Sequence, residues 1–293
     1  MIRMVLQQII NGVLASGIYA LFAVGFAVVF GIMGVLNMAH ADFAMVAAFA
    51  VVWAVSSGLS PGAGVAVSIA LTVAVALLVE RLAIRPARRF GGDAGIELPL
   101  IATLGCGLML QNVVALLFGN KAVVFPGSLR AYLRIGGLLV SESLLVSFGV
   151  AVVLIAALEV LVRRSDFGRQ MRAVAQNRDA AEIMGINTTA VIVLSMALTA
   201  ALAGVAGLLV GFSYGLVSPF MGLTYAIKGL IAMIIGGVGS VTGAALGAVI
   251  IGLTEALSVA VWGSQLRDLS VFLILMAVLL LRPSGLLPTA ARA

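Results

Sequence analysis

Three strongly polar side chains fall within residues 37–42 of the stretch VLNMAHADFAMV: Asn37, His40 and Asp42. His40 is the only histidine of the chain, and Asp42 is the only charged side chain between Arg3 and Glu80. An imidazole and a carboxylate this close in sequence could pass a proton or act as acid and base. Their spacing argues against a dyad, because side chains two residues apart on a helix point about 200° away from each other. Three readings stay open. The residues cap a broken helix, with Asn37 as the N-cap and Asp42 in the first turn, where a carboxylate favours the positive end of the helix dipole. They line a path through the membrane. Or they relay protons, as intramembrane ionisable groups do in secondary transporters. The first two are compatible, because irregular backbone at membrane depth survives only inside protein or beside a water-filled cavity.

The elements that carry these residues are membrane helices. Sixty-three per cent of the residues are hydrophobic and ten per cent are charged, whereas soluble domains are nearer half apolar and a quarter charged. The apolar runs are continuous and rich in Ala, Leu, Val and Gly, unlike the alternating segments of a membrane barrel. At about 20 apolar residues per crossing, spans are expected at 7–31, 37–57, 62–82, 97–118, 138–162, 189–212, 225–238, 241–262 and 268–282. The seventh and ninth are short and read as half-helices or as spans packed tightly by their neighbours. The first resembles a signal peptide but is too long for one, so an uncleaved helix is expected. The fold class is all-α and polytopic, with about eight or nine transmembrane helices, in a single membrane domain over 1–293.

Eleven of the 17 cations fall in three places: Arg81, Arg85, Arg88 and Arg89 in one loop, Arg163, Arg164, Arg169, Arg172 and Arg178 in another, and Arg282 and Arg292 near the C-terminus. The positive-inside rule places all three in the cytoplasm, with 119–137 and 213–224 outside and the N-terminus outside. The net charge of +6 reflects this and does not point to nucleic acid. Much other chemistry is missing. Neither lysine, Lys121 or Lys228, is followed by Ser or Thr, so no Walker-type ATP site is present. One histidine and one cysteine, Cys106, make no zinc cluster. No G-x-S-x-G occurs.

The run IIGGVGSVTGAALGAVIIG contains Gly236, Gly237, Gly239, Gly243, Gly247 and Gly252. Residues 236–240 read as a break between helices, and Gly243 with Gly247 as a small-residue face for close helix packing. Glu255 lies well inside a span. Lys228 is near a span start and reads as snorkelling to the interface. Asn11, Tyr19, Gln111 and Asn112 read as interhelical hydrogen-bonding groups.

The loop 163–187 is the most informative polar segment. Met171, Val174, Ala175, Ala181 and Met184 recur at near-helical spacing, so one short helix is expected over 169–184. Gly185 would stop it and Asn187 would cap the following span. A short helix with a basic face and a small-residue face suits docking into a groove of another protein; a solvated basic loop accounts for the charge equally well.

Residues Asp179-Ala180-Ala181-Glu182-Ile183-Met184-Gly185 resemble the EAA---G signature of bacterial ABC importer permeases, with Asp for the first Glu. The longer segments NGVLASGIYALFAVGFAVVFGIMGVLNMAHADFAMVAAF, RAVAQNRDAAEIMGIN and GLIAMIIGGVGSVTGAALGAVIIG resemble the LivH-type permeases of branched-chain amino acid ABC transporters, in the same order along nearly the whole chain. Where that family usually reads N-x-A-H-G-E, this chain has Ala41 and Asp42 in the last two places.

The resemblance implies an ABC importer permease fold and no enzymatic activity in this chain. It implies a loop at 163–187 that seats in an ATPase, through Arg178, Asp179, Ala180, Ala181, Glu182 and Gly185. Candidates for the translocation path or broken helices are Asn11, Tyr19, Asn37, His40, Asp42, Gly236, Gly237 and Gly239. Implied partners are a second, LivM-like permease, two ATPase subunits that hold ATP and Mg, a periplasmic substrate-binding protein, a small-molecule substrate and the lipid of a bacterial inner membrane. The implied substrates are leucine, isoleucine and valine. Urea, short amides and other small amino acids are the alternative, and an ion-coupled secondary transporter or a membrane scaffold are the competing classes.

Overall fold

Among the described residues nine long apolar stretches form helical rods, because lipid offers no partner for a free N–H or C=O and a helix satisfies both internally. The computed structural model of the chain describes residues 2–90, 97–128, 131–135 and 137–287. The helices are α1 (Ile2–Met33), α2 (His40–Ser56), α3 (Pro61–Val79), α4 (Arg85–Phe90), α5 (Glu97–Phe118), α6 (Glu142–Arg164), α7 (Asp166–Gln176), α8 (Arg178–Ile183), α9 (Thr188–Tyr214), α10 (Met221–Gly236), α11 (Val241–Trp262) and α12 (Arg267–Leu281). A π-helical turn, Glu80–Ile84, joins α3 to α4. Seven helical segments are long and apolar enough to cross a membrane, and α2 and α10 are shorter apolar helices. At 17 and 16 residues these two reach about 25 Å, just under the hydrocarbon thickness.

Two small antiparallel ribbons complete the fold. β2 (Tyr132–Ile135) pairs with β3 (Leu138–Ser141), and β1 (Val123–Val124) pairs with β4 (Leu216–Val217). They gather at one end of the helices, where Gln7 of α1 also exchanges two side-chain hydrogen bonds with Leu139, at 2.6 and 2.9 Å. At the other end Arg163 reaches Thr242 at 3.4 Å. There the chain beyond α12 returns to α10, with Leu286 N–H donating to Ile235 at 2.9 Å. The helices therefore alternate in direction between a basic end and an end that carries the ribbons. The stretch 91–96 of the first basic loop and Arg292 lie outside the described residues.

Helices α1, α2, α9, α10 and α11 make the centre; Phe22, Phe26, Phe43, Phe49 and Ile235 are fully buried among them. Association in lipid depends on close van der Waals contact more than on expelling water, so small residues mark the seams. A Cβ at Gly247 of α11 would stand 2.0 Å from the carbonyl oxygen of Ala232 in α10. The expected small-residue face is thus a backbone-to-backbone contact. Of the two short spans, α10 is packed by its neighbours. α12 is not: Leu273, Met276, Leu280 and Leu281 are exposed on it.

Candidate functional site

α1 ends at Met33, and Gly34 turns the chain out with a φ of 66°. The polar stretch occupies the break that follows. Asn37 is not the N-cap of α2. Ala39 holds that position with no side-chain cap. Asn37 Oδ1 instead accepts the Ala39 N–H at 3.1 Å, and the His40 N–H reaches the Asn37 carbonyl at 3.2 Å. A turn at 37–40 thus precedes the helix and moves its start past Asn37. The neighbouring Met38 N–H is taken by Thr103 of α5 at 3.1 Å.

His40 and Asp42 diverge. The His40 ring lies fully buried against α1, edge-on to Phe26 with ring centres 4.8 Å apart. It fits there because residue 25 is glycine: a Cβ would stand 2.2 Å from His40 Nε2. Neither ring nitrogen has a hydrogen-bond partner among the described residues. Asp42 projects the other way, between Gly107 of α5 and Gly222 of α10, where a Cβ on either would stand 2.3 Å from a carboxylate oxygen. Gln111 of α5 donates to Asp42 Oδ1 at 2.8 Å.

His40 is held by the packing of its ring, which sets an expectation. His40→Gln should lower stability by about 1–3 kcal/mol, because the flexible amide loses the ring's fit against Phe26 and Gly25 while its polar atoms stay as unpaired as those of the imidazole. It should leave the pH profile of transport where it was. Thermal unfolding and uptake across pH check both, and a steep loss with a displaced profile would instead mark a proton relay.

A second polar cluster lies between α1, α10, α11 and α12. Glu255 is 4% exposed, accepts two hydrogen bonds and pairs with a third group through charge. Tyr19 Oη donates to its Oε2 at 2.8 Å, Arg267 Nη2 reaches the same oxygen at 2.6 Å, and Lys228 Nζ stands 2.6 Å from Oε1. Arg267 also reaches the Tyr19 hydroxyl at 2.8 Å. Lys228 lies 5.0 Å over the Tyr19 ring. Lys228 therefore does not snorkel: it is buried and paired, because α10 brings it against a carboxylate that removes the need to reach water. Arg267 falls outside the residues singled out from the sequence. Its signal was a cation at the start of a span, which reads as a flank until the loop at 263–266 folds it back toward Glu255.

The remaining candidates lie apart from both clusters. Asn11 accepts from Gln7 on its own helix at 3.1 Å, and Asn112 bonds back to Leu108 at 2.7 Å. Gly237 and Gly239, with φ of 116° and 82°, turn the chain between α10 and α11 at the basic end, next to Gly236, the last residue of α10.

In the loop 163–187 the structure has two helices where one was expected. Asn177 breaks the pattern because its extended backbone (φ −157°) lets its side chain cap α8, accepting the Ala180 N–H at 3.0 Å. α8 ends as the sequence predicts. Gly185 has φ 83°, its N–H bonds to Glu182, and the Ile186 N–H bonds to Ala181, both at 3.0 Å; this is the left-handed closure that favours glycine. Asn187 caps α9 through Ala190 at 3.0 Å. Ala181 is buried against the protein's own body, while Arg178, Asp179, Ala180 and Glu182 face out. Beside them Ile183 and Met184 are 86% and 81% exposed. Hydrogen bonds from Thr188 and Arg178 hold the Glu182 carboxyl below its usual range.

The model of the family described as "Branched-chain amino acid transport system / permease component" matches residues 8–281. The chain belongs to this family. The permease is 35% identical to the high-affinity branched-chain amino acid transport system permease protein BraD of Pseudomonas aeruginosa, over 96% of this chain and 95% of that protein. It is 34% identical to the LivH permease protein of Salmonella typhimurium and 33% identical to that of Escherichia coli K12, with the same coverage. Its fold is similar to that of PsaBC from Streptococcus pneumoniae in complex with Fab, with a TM-score of 0.52 at 12% identity over 94% of this permease and 91% of that chain.

Proposed function

We propose that this permease forms half of the membrane channel of an ATP-driven importer of branched-chain amino acids in the bacterial inner membrane. A second permease completes the path, two ATPase subunits bind ATP and Mg and drive it, and a periplasmic binding protein delivers leucine, isoleucine or valine. The observation that carries this reading is the end-to-end likeness to relatives named for that transport. The cytoplasmic loop supports the ATPase part. α8 is held rigidly by caps at both ends and presents Ile183 and Met184 to the outside, an apolar tip on an otherwise polar surface. Exposed apolar groups rimmed by charge mark a protein contact.

In this reading, closure of the ATPases displaces α8, and the helices rock between inward-open and outward-open arrangements. No side chain here makes or breaks a covalent bond. A largely apolar path suits an amino acid whose side chain is hydrocarbon, and it would suit urea or short amides equally; the relatives' names favour the amino acid.

The test is uptake of labelled leucine by the complete importer in proteoliposomes. Uptake should require the binding protein and stop when the ATPase Walker lysine is replaced. Gradient-driven uptake that persists without ATP hydrolysis would overturn the reading. Ile183→Asp should lower uptake by about tenfold, the equivalent of about 1.4 kcal/mol of contact, while the permease still inserts. Equal uptake in that variant would remove α8 from the ATPase contact.

A further inference from the structure

Helix α5 turns Thr103, Gly107 and Val114 inward and leaves Ile101, Gly105, Leu108 and Asn112 outward. The outward four recur at alternating steps of four and three residues, the spacing by which two helices pack side by side along a seam. Two of them have no explanation within the chain. A Cβ at Gly105 would meet nothing within 4 Å, whereas Gly107 on the inner face makes room for Asp42. Asn112 donates to the Leu108 carbonyl of its own helix, and its Oδ1 accepts no hydrogen bond among the described residues. Phe118 ends α5 six residues later. The amide therefore lies about 9 Å inside the helix end, beyond the reach of so short a side chain to the interface.

The outward faces of the other peripheral spans differ. Every exposed side chain at 65–78 of α3, 145–160 of α6 and 272–281 of α12 is apolar. Hydrocarbon covers such faces without cost. It does not cover Asn112, because lipid tails offer neither a donor nor an acceptor. A water-filled passage is no better match, since Ile101 and Leu108 share the seam and are exposed with it. A lone Asn in an apolar seam, one heptad from a glycine, is complementary to another helix. That helix approaches closely at 105 and offers an amide, hydroxyl or carboxyl at 112.

We infer that this face of α5 packs against a membrane helix of the second permease. Asn112 hydrogen-bonds across the contact and fixes its register, and Gly105 lets the two backbones approach. The inference rests on the reading above that a second permease completes the importer.

The experiment places a diazirine-bearing amino acid at Leu108, on the seam, or at Leu273, on the outward face of α12, in the complete importer in proteoliposomes. Illumination should join position 108 to the second permease and position 273 to lipid alone. Asn112→Leu and Asn112→Gln are then compared by how much second permease purifies with equal amounts of this chain. N112L should recover about threefold less than the unmodified chain, and N112Q, which keeps the amide, should recover more than N112L. Four results overturn the inference: position 108 joining lipid alone, position 108 joining another copy of this chain, both positions joining the second permease equally, or N112L recovering as much second permease as the unmodified chain. The second of these would make α5 the contact between two copies. If N112L fails to insert, the crosslink at 108, made with Asn112 intact, decides. Absence of any second permease beside the unmodified chain is a failure of the importer reading and not of α5.

Discussion

Glu255→Ala is expected to destabilise the folded permease by about 3–5 kcal/mol, the range found when one partner of a buried pair is removed. The carboxylate is the negative charge that Lys228 and Arg267 share, and it also accepts from the Tyr19 hydroxyl. Without it Lys228 stays buried with no negative partner, and the tie between α1, α10, α11 and α12 is lost. The cost should show as a lower unfolding midpoint of the purified protein and less permease in the membrane. Replacing Lys228 and Glu255 together by Met should cost less than the two single changes added, because residues sharing an ion pair do not act independently. An unchanged midpoint in Glu255→Ala, or strict additivity in the pair, would show that the cluster does not hold the helices together.

Gly247→Leu is expected to separate α10 from α11. The first carbon of any side chain at 247 would stand 2.0 Å from the Ala232 carbonyl oxygen and 3.0 Å from the Gly236 nitrogen. Both are backbone atoms of a packed helix, so no rotamer change relieves the clash. Overpacking of this kind costs about 1–3 kcal/mol or more, and in lipid no hydrophobic gain from the larger side chain offsets it. Leu246, 48% exposed one position earlier, is the control, and Leu246→Ala should leave the unfolding midpoint nearly unchanged. A Gly247→Leu protein as stable as that control would mean the two backbones are not in contact.

The parts of this fold that depend on length and polarity were readable in the residues. α11 begins and ends where its apolar run does, at 241 and 262, because Ser240 caps one end, accepting from Gly243, and Gly263 closes the other. The stop at Gly185 and the cap at Asn187 were readable for the same reason: each acts on backbone groups within a few residues. Features set by distant contacts were not. Lys228 looked like an interfacial cation because its partner Glu255 lies on the next helix and Arg267 beyond a further reversal. Asn37 has the right side chain for an N-cap, but the turn that displaces it is fixed partly by Thr103 on α5. Ala181 belongs to the recognised loop motif, yet its side chain serves the inner face of α8; Met184, which the spacing grouped with Ala181, and Ile183, which no periodicity singles out, form the outer one.

The break at Asn177 decides where a push on the loop would go. A single rod over 169–184 would send force back along its own axis toward α6. Two helices meeting at a corner do not. α8 is stitched to α9 instead, by the closure at Gly185, the cap at Asn187 and the bond from Thr188 to Glu182. α9 is 27 residues long, about 40 Å, and leans on α2 partway along, where Gly207 touches the backbone of Ala44. The arrangement is a lever with its fulcrum at a glycine, Gly207, 19 residues from Thr188 and seven from Tyr214, so the longer arm is on the α8 side. A displacement imposed at α8 therefore arrives at Tyr214, the far end of the same helix, reduced to about a third and delivered with more force.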